Sequence, residues 1–152
     1  MTKEEMRKFM EGQVEDANVR QKDVINGMLK GKLLDCDPET NELVMEFPVL
    51  PWEGNRVGVM HGGAITAVFD LAMGNMARYV AQANWAPTVG IEVKFIRPIQ
   101  VGDDLIVKVR ATAAGKRITQ MYAEITSKAT GKLSATATSV YMNIDTMKER
   151  AQ

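Results

Sequence analysis

Residues 64–77 read AITAVFDLAMGNMA, and in this stretch only Thr66, Asp70 and Asn75 are neither apolar nor glycine. The run is too long for an ordinary strand and is read as a helix. A helix that is apolar on nearly every side has no wet face, so the rest of the chain has to wrap it.

The wrapping segments are visible on both sides. Residues 33–47, LLDCDPETNELVMEF, read as strand, turn, strand: Asp37, Pro38, Thr40 and Asn41 favour a turn, and Leu43, Met45 and Phe47 share one side. Pro48, Pro51 and Gly54 then make a loop to about residue 59. Beyond the helix, Val89, Ile91, Val93 and Phe95 alternate with polar residues or glycine, the pattern of a half-buried strand. Leu105, Val107, Val109 and Ala111 follow, then Thr119, Met121, Ala123 and Ile125, then Leu133, Ala135, Ala137, Ser139 and Tyr141, separated by short turns. Turns this short carry no crossover helix, so consecutive strands are expected to be antiparallel neighbours. Ahead of all this, Met6, Phe9, Met10 and Val14 recur at helical spacing over residues 3–22. The expectation is an α+β fold: a curved, mainly antiparallel sheet around one central helix. An N-terminal helical extension occupies residues 1–27, the main domain 28–145 and a tail 146–152.

The 152 residues allow one hydrophobic core, and the eleven methionines are read as core filling. Nineteen Lys and Arg balance nineteen Asp and Glu, and no basic patch is interleaved with aromatics, so a nucleic-acid partner is not expected. One cysteine, Cys36, and one histidine, His61, cannot make a disulfide or a Cys/His zinc cage. The charged first residues and the lack of a long apolar run indicate a cytoplasmic protein without a membrane partner.

The chemistry concentrates between residues 55 and 70. Asp70 lies in AVFDLAM, where partial burial would favour use of its carboxylate as a general base; a structural hydrogen bond is the alternative. Gly62 and Gly63 open the helix, where backbone N–H groups without intrahelical acceptors can stabilise a developing oxyanion, or where a tight turn simply needs glycine. His61 is read either as loop-fixing or as substrate-positioning. Nine residues separate it from Asp70, putting the two on opposite sides of a helix and about 13 Å apart along it. A shared site therefore calls for a second chain and a symmetric dimer. Asn55 offers a side-chain donor or a loop clasp, and Thr88 can hold a water or the Asp70 carboxylate.

The pattern Asn55-x-x-Gly58-x-x-His61-Gly62-Gly63-Ala64, then Asp70, then TVGIEVKFIRP from Thr88, then Gly102-Asp103, resembles the hotdog-fold acyl-CoA thioesterases of the phenylacetate-pathway (PaaI-like) type. The resemblance implies homodimers with active sites at the interface, also as dimers of dimers. It implies Asp70 as general base or nucleophile, the Gly62 amide polarising the thioester carbonyl, Asn55 orienting the thioester, His61 shaping the site and Thr88 assisting water and carboxylate. No cofactor is implied, since coenzyme A enters as part of the substrate. Gly63, Arg97, Lys116 and Arg117 are the candidate contacts to the anionic CoA moiety, and Trp52, Phe69, Met73 and Tyr79 the candidate contacts to the acyl group. An aromatic and a short or medium aliphatic acyl group are both compatible with this reading. The competing readings are a hotdog-fold enoyl-thioester hydratase or dehydratase and a non-catalytic acyl-CoA-binding protein.

Overall fold

The computed structural model describes residues 1–83 and 85–144, so the tail expected at 146–152 lies outside the described residues. The chain starts with helix α1 (Lys3–Glu15), capped by Thr2: the Glu5 N–H donates to Thr2 Oγ1 at 3.2 Å and the Thr2 N–H to Glu5 Oε2 at 2.7 Å. The single helix expected over 3–22 is shorter. It passes into a π-helical turn at Asp16–Arg20 and is followed by a one-turn helix α2 (Ile25–Met28). Met6, Met10 and Leu29 are fully buried in the same hydrophobic cluster as the central helix and the sheet, and the Phe9 and Tyr79 rings meet edge to face at 5.6 Å. The N-terminal segment is thus packed into the core.

Six strands follow: β1 (Lys32–Asp37), β2 (Glu42–Pro48), and, after helix α3 (Gly62–Ala81), β3 (Thr88–Phe95), β4 (Asp104–Ala114), β5 (Ile118–Ser127) and β6 (Leu133–Met142). They form one sheet in the order β1-β2-β4-β5-β6-β3, every pair antiparallel. The inward positions of the central strands were legible from alternation: Leu43, Met45 and Phe47 of β2, Leu105, Val107 and Val109 of β4, and Met121, Ala123 and Ile125 of β5 are all buried. Seven methionines, including Met73 and Met76 of α3, lie in this core. This is the α+β hotdog arrangement, a sheet curled around one helix. Among the described residues no helix is long and apolar enough to cross a membrane.

Three features differ from the expectation. Consecutive strands are neighbours within β1-β2 and β4-β5-β6, but β3 sits beside β6, with Thr88 opposite Tyr141 and Phe95 opposite Ala135. Residues 96–103 return the chain across the end of the sheet to place β4 against β2, pinned by the Met60 N–H to the Ile99 carbonyl and the Val49 N–H to the Asp103 carbonyl, both 2.8 Å. Second, β3 is covered only in its middle: Ile91 and Val93 are partly buried against the core, while Val89 is 59% and Phe95 58% exposed. One helix about 10 Å across cannot fully cover six strands spaced about 4.8 Å apart, so the ends of the apolar side of this edge strand stay open. Third, α3 extends beyond 64–77 at both ends and does have a partly wet side, along Gly63, Thr66, Ala67 and Asp70.

Truncating Met10 to alanine should cost about 2–5 kcal/mol of stability in urea unfolding, as for other buried methionines, whereas Lys8→Ala on the exposed side of α1 should stay within about 0.5 kcal/mol. Equal effects would contradict the placement of α1 in the core.

Candidate active site

Helix α3 begins at Gly62 because His61 stops the loop before it. The His61 backbone is extended and its Nδ1 accepts the Gly63 N–H at 2.8 Å, which makes it the N-cap and leaves the ring proton on Nε2. The loop is fastened twice more. The His61 N–H donates to the Glu53 carbonyl at 2.7 Å, and Asn55 Oδ1 accepts the N–H groups of Val57 at 3.0 Å and Val59 at 3.3 Å. Asn55 therefore clasps the loop with its oxygen, and among the described residues no acceptor engages its amide nitrogen. Thr66 Oγ1 donates to the Gly62 carbonyl at 2.8 Å, securing the first turn.

The Gly63 amide is thus occupied, while among the described residues no acceptor engages the Gly62 N–H. That N–H sits at the positive end of a 20-residue helix. A Cβ at position 62 would lie 3.2 Å from Phe95 Cζ, so glycine is what lets the exposed Phe95 ring approach the helix start. A cleft of about 270 Å³ opens there, lined by Met60, Gly62, Ile65, Phe95, Arg97 and Ile99. Arg97 is anchored at its rim by Nη1 to the Leu133 carbonyl at 2.6 Å.

A second group forms further along α3. Asp70 is half-buried, and its Oδ1 accepts two hydroxyl protons, from Thr88 Oγ1 at 2.7 Å and from the Tyr141 phenol at 2.8 Å. Among the described residues no donor engages Oδ2. The hydroxyl pair is what allows a carboxylate on an otherwise apolar helix. Burial, then the Asp70 charge and the hydrogen bond to it, push the Tyr141 phenol far above its ordinary range, so it keeps its proton. Arg78, two turns along α3, is largely buried; its guanidinium donates to Asn75 Oδ1, burial draws its pKa down, and its charge reaches Tyr141, Asp16 and Asp70.

Lys116 and Arg117 are exposed at the β4–β5 turn. The Asn143 N–H donates to the Arg117 carbonyl at 2.8 Å, so this turn stands beside the Tyr141 end of β6. One chain consequently carries two separate groups. Asn55, His61, Gly62 and Arg97 gather at the start of α3, while Asp70, Thr88 and Tyr141, with Lys116 and Arg117 nearby, gather at the other end of β3. Eight residues of helix, about 12 Å of rise, hold Gly62 and Asp70 apart.

Of the expected acyl contacts, Phe69 and Met73 are 0% exposed and Tyr79 is buried against α1. They face the chain's own core and do not line an accessible pocket; Trp52 alone is at the surface. A larger recess, about 680 Å³, lies on the outer face of the sheet among Glu92, Arg110, Gln120, Tyr122 and Thr138, away from both groups. Sequence reasoning missed two residues. Tyr141 was read only as an inward position of the last strand, because its position opposite Thr88 follows from the β3–β6 pairing. Glu53, buried in the 3₁₀ turn Pro51–Glu53, accepts the Leu50 N–H through Oε2, and burial raises its carboxyl pKa; nothing in the Pro-rich loop marked it as buried.

A hotdog sheet around a helix that carries an open N–H at its start and a hydroxyl-bound carboxylate two turns on defines the class of protein. Residues 57–134 match the Thioesterase superfamily, half of the chain, and the chain belongs to that family. The match includes Gly62, Asp70 and Thr88 and stops short of Asn55 and Tyr141. Mouse acyl-coenzyme A thioesterase 13 is 27% identical over 108 residues, 70% of this chain and 74% of that protein. The structure of a phenylacetic acid degradation-related protein from Ralstonia eutropha JMP134 is 26% identical, with a TM-score of 0.74 over 88% of this chain and 98% of that one. Thioesterase superfamily member 2 from Mus musculus, at 18% identity, shares the fold with a TM-score of 0.75 over 91% and 97%.

Replacing His61 by alanine should lower stability by about 1 kcal/mol, with His61→Asn retaining most of it, as expected for an N-cap. Urea unfolding of the two variants checks this; equal losses would contradict the capping role.

Proposed function

We propose that the protein hydrolyses acyl-CoA thioesters to the free acid and CoA, at sites each built from two copies of the chain. One observation carries the reading: on a single rigid helix of a thioesterase-superfamily fold, an unengaged N–H and a carboxylate with a free oxygen stand about 12 Å apart. The name of the mouse relative, an acyl-coenzyme A thioesterase, supports the substrate class.

The exposed edge β3 runs from the Asp70 group at Thr88 to the Gly62 group at Phe95. Antiparallel pairing of two such edges about a two-fold axis brings the Thr88 end of one copy beside the Phe95 end of the other, and covers the apolar side of each. Two complete sites result. Arg97 from one copy and Lys116 and Arg117 from the other then flank one mouth, where their charge suits the phosphates of CoA. The cytoplasmic setting expected from the sequence belongs to this proposal.

In the reaction, Asp70 Oδ2 takes a proton from a water whose oxygen adds to the thioester carbon, and the carbonyl electron pair moves onto oxygen. The Gly62 N–H, assisted by the helix end, holds that oxyanion. Asn55 Nδ2 donates to the thioester and His61 fixes the loop that presents both. When the carbonyl re-forms, the C–S bond breaks and the sulfur leaves with its electron pair, taking the proton from Asp70. CoA and the free acid are released, and the carboxylate is restored.

Purified protein and Asp70→Asn should be compared on acetyl-, hexanoyl- and phenylacetyl-CoA by release of free thiol. Wild type should release thiol, and D70N should be at least about 100-fold slower while remaining folded. No thiol release on any of these substrates overturns the reading. Loss of enoyl absorbance from crotonyl-CoA without thiol release would establish hydration instead.

A further inference from the structure

The two oxygens of the Asp70 carboxylate are not equivalent. Oδ1 accepts from Thr88 at 2.7 Å and from Tyr141 at 2.8 Å, which fills the positions one carboxylate oxygen offers. The donors differ in kind. Thr88 is an exposed hydroxyl on an edge strand, whereas Tyr141 is 1% exposed, on β6 under the middle of α3. Its hydroxyl also lies 3.1 Å from the Asp70 backbone carbonyl, so it is tied to both the side chain and the main chain of one residue. The ring is too large and too tightly packed to swing away, and Thr88 sits directly opposite it across the β3–β6 pair.

We infer that Tyr141 is a positioning residue of the hydrolytic site: with Thr88 it immobilises Asp70 Oδ1, so that Oδ2 is the oxygen that accepts the proton from water. The inference rests on the thioesterase reading above. Both hydroxyl protons are spent on Oδ1, which holds the carboxylate in one orientation and leaves Oδ2 to the water. The other groups around Asp70 do not supply this. Arg78 on α3 makes no ion pair with it among the described residues: its guanidinium donates to Asn75 Oδ1 and reaches Asp70 only as a charge. The inward sides of β2, β4 and β5 present buried apolar residues together with Thr119 and Ser127, none of them charged.

Tyr141→Phe removes one oxygen from an apolar enclosure, and Thr88→Val provides a second variant at the surface in case the first folds poorly. In each, kcat should fall about tenfold with KM within about twofold. The carboxyl-carbon resonance of Asp70, followed by NMR in wild type and Y141F at neutral pH without substrate, should move in the variant, because Oδ1 loses one of its two donors. A lower melting temperature in Y141F, with unchanged kcat and an unmoved Asp70 resonance, would make Tyr141 a packing residue and overturn the inference while leaving the thioesterase reading intact. An inactive wild type with a moved Asp70 resonance in Y141F would overturn the thioesterase reading and keep the hydroxyl clamp.

Discussion

A helix rises 1.5 Å per residue whatever its sequence, and this fixed spacing governs the molecule. Gly62 starts α3 and Asp70 lies just over two turns later, so no side-chain motion within one chain can bring the helix-start N–H and the carboxylate onto the same small carbonyl. The same chain leaves β3 at one edge of the sheet with the apolar residues at its two ends, Val89 and Phe95, exposed. These two facts answer each other, because the uncovered edge joins the two separated groups and is long enough to carry both. An edge strand of this kind is a hazard in a monomer; in a paired arrangement it becomes the element that assembles the site.

The rest of the architecture places polar groups where an apolar helix can tolerate them. At the start of α3 the peptide groups have no intrahelical partners in any case, so an open N–H costs nothing beyond what a helix end always leaves; His61 takes the Gly63 N–H and leaves that of Gly62. At Asp70 the problem is a charge, met by two hydroxyls from strands that are neighbours only in the folded sheet. The N-terminal segment, by burying Met6 and Met10 against the structure, closes the core on the side the sheet does not reach. The candidate site residues thus lie at surfaces and ends, while Phe69 and Met73 between them pack inside the core.

Much of this was readable in the residues. The length and apolarity of 64–77 implied a wrapped helix, alternation gave the inward positions of β2, β4, β5 and β6, and the spacing of His61 and Asp70 set the helix start and the carboxylate apart. What escaped were relations between distant segments. Local alternation says which residues share a side but not how much of that side is covered, so Val89 and Phe95 were read as buried together with Ile91 and Val93. Short turns argued for neighbouring strands and held everywhere except at residues 96–103, where the chain crosses the sheet end. Tyr141 was invisible as a partner of Asp70 for the same reason, because 71 positions separate them in the chain and only the β3–β6 register brings them together.

Each proposed site takes its carboxylate from one copy and its helix-start loop from another. Mixing folded Asp70→Asn with folded Asn55→Ala, after a denaturation and refolding step that exchanges subunits, tests it directly through acyl-CoA hydrolysis. Two weakly active preparations should regain roughly a quarter of wild-type activity, because half of the randomly formed dimers carry one intact site out of two. Activity that stays at the average of the two separate variants, with subunit exchange verified by mass, would contradict it.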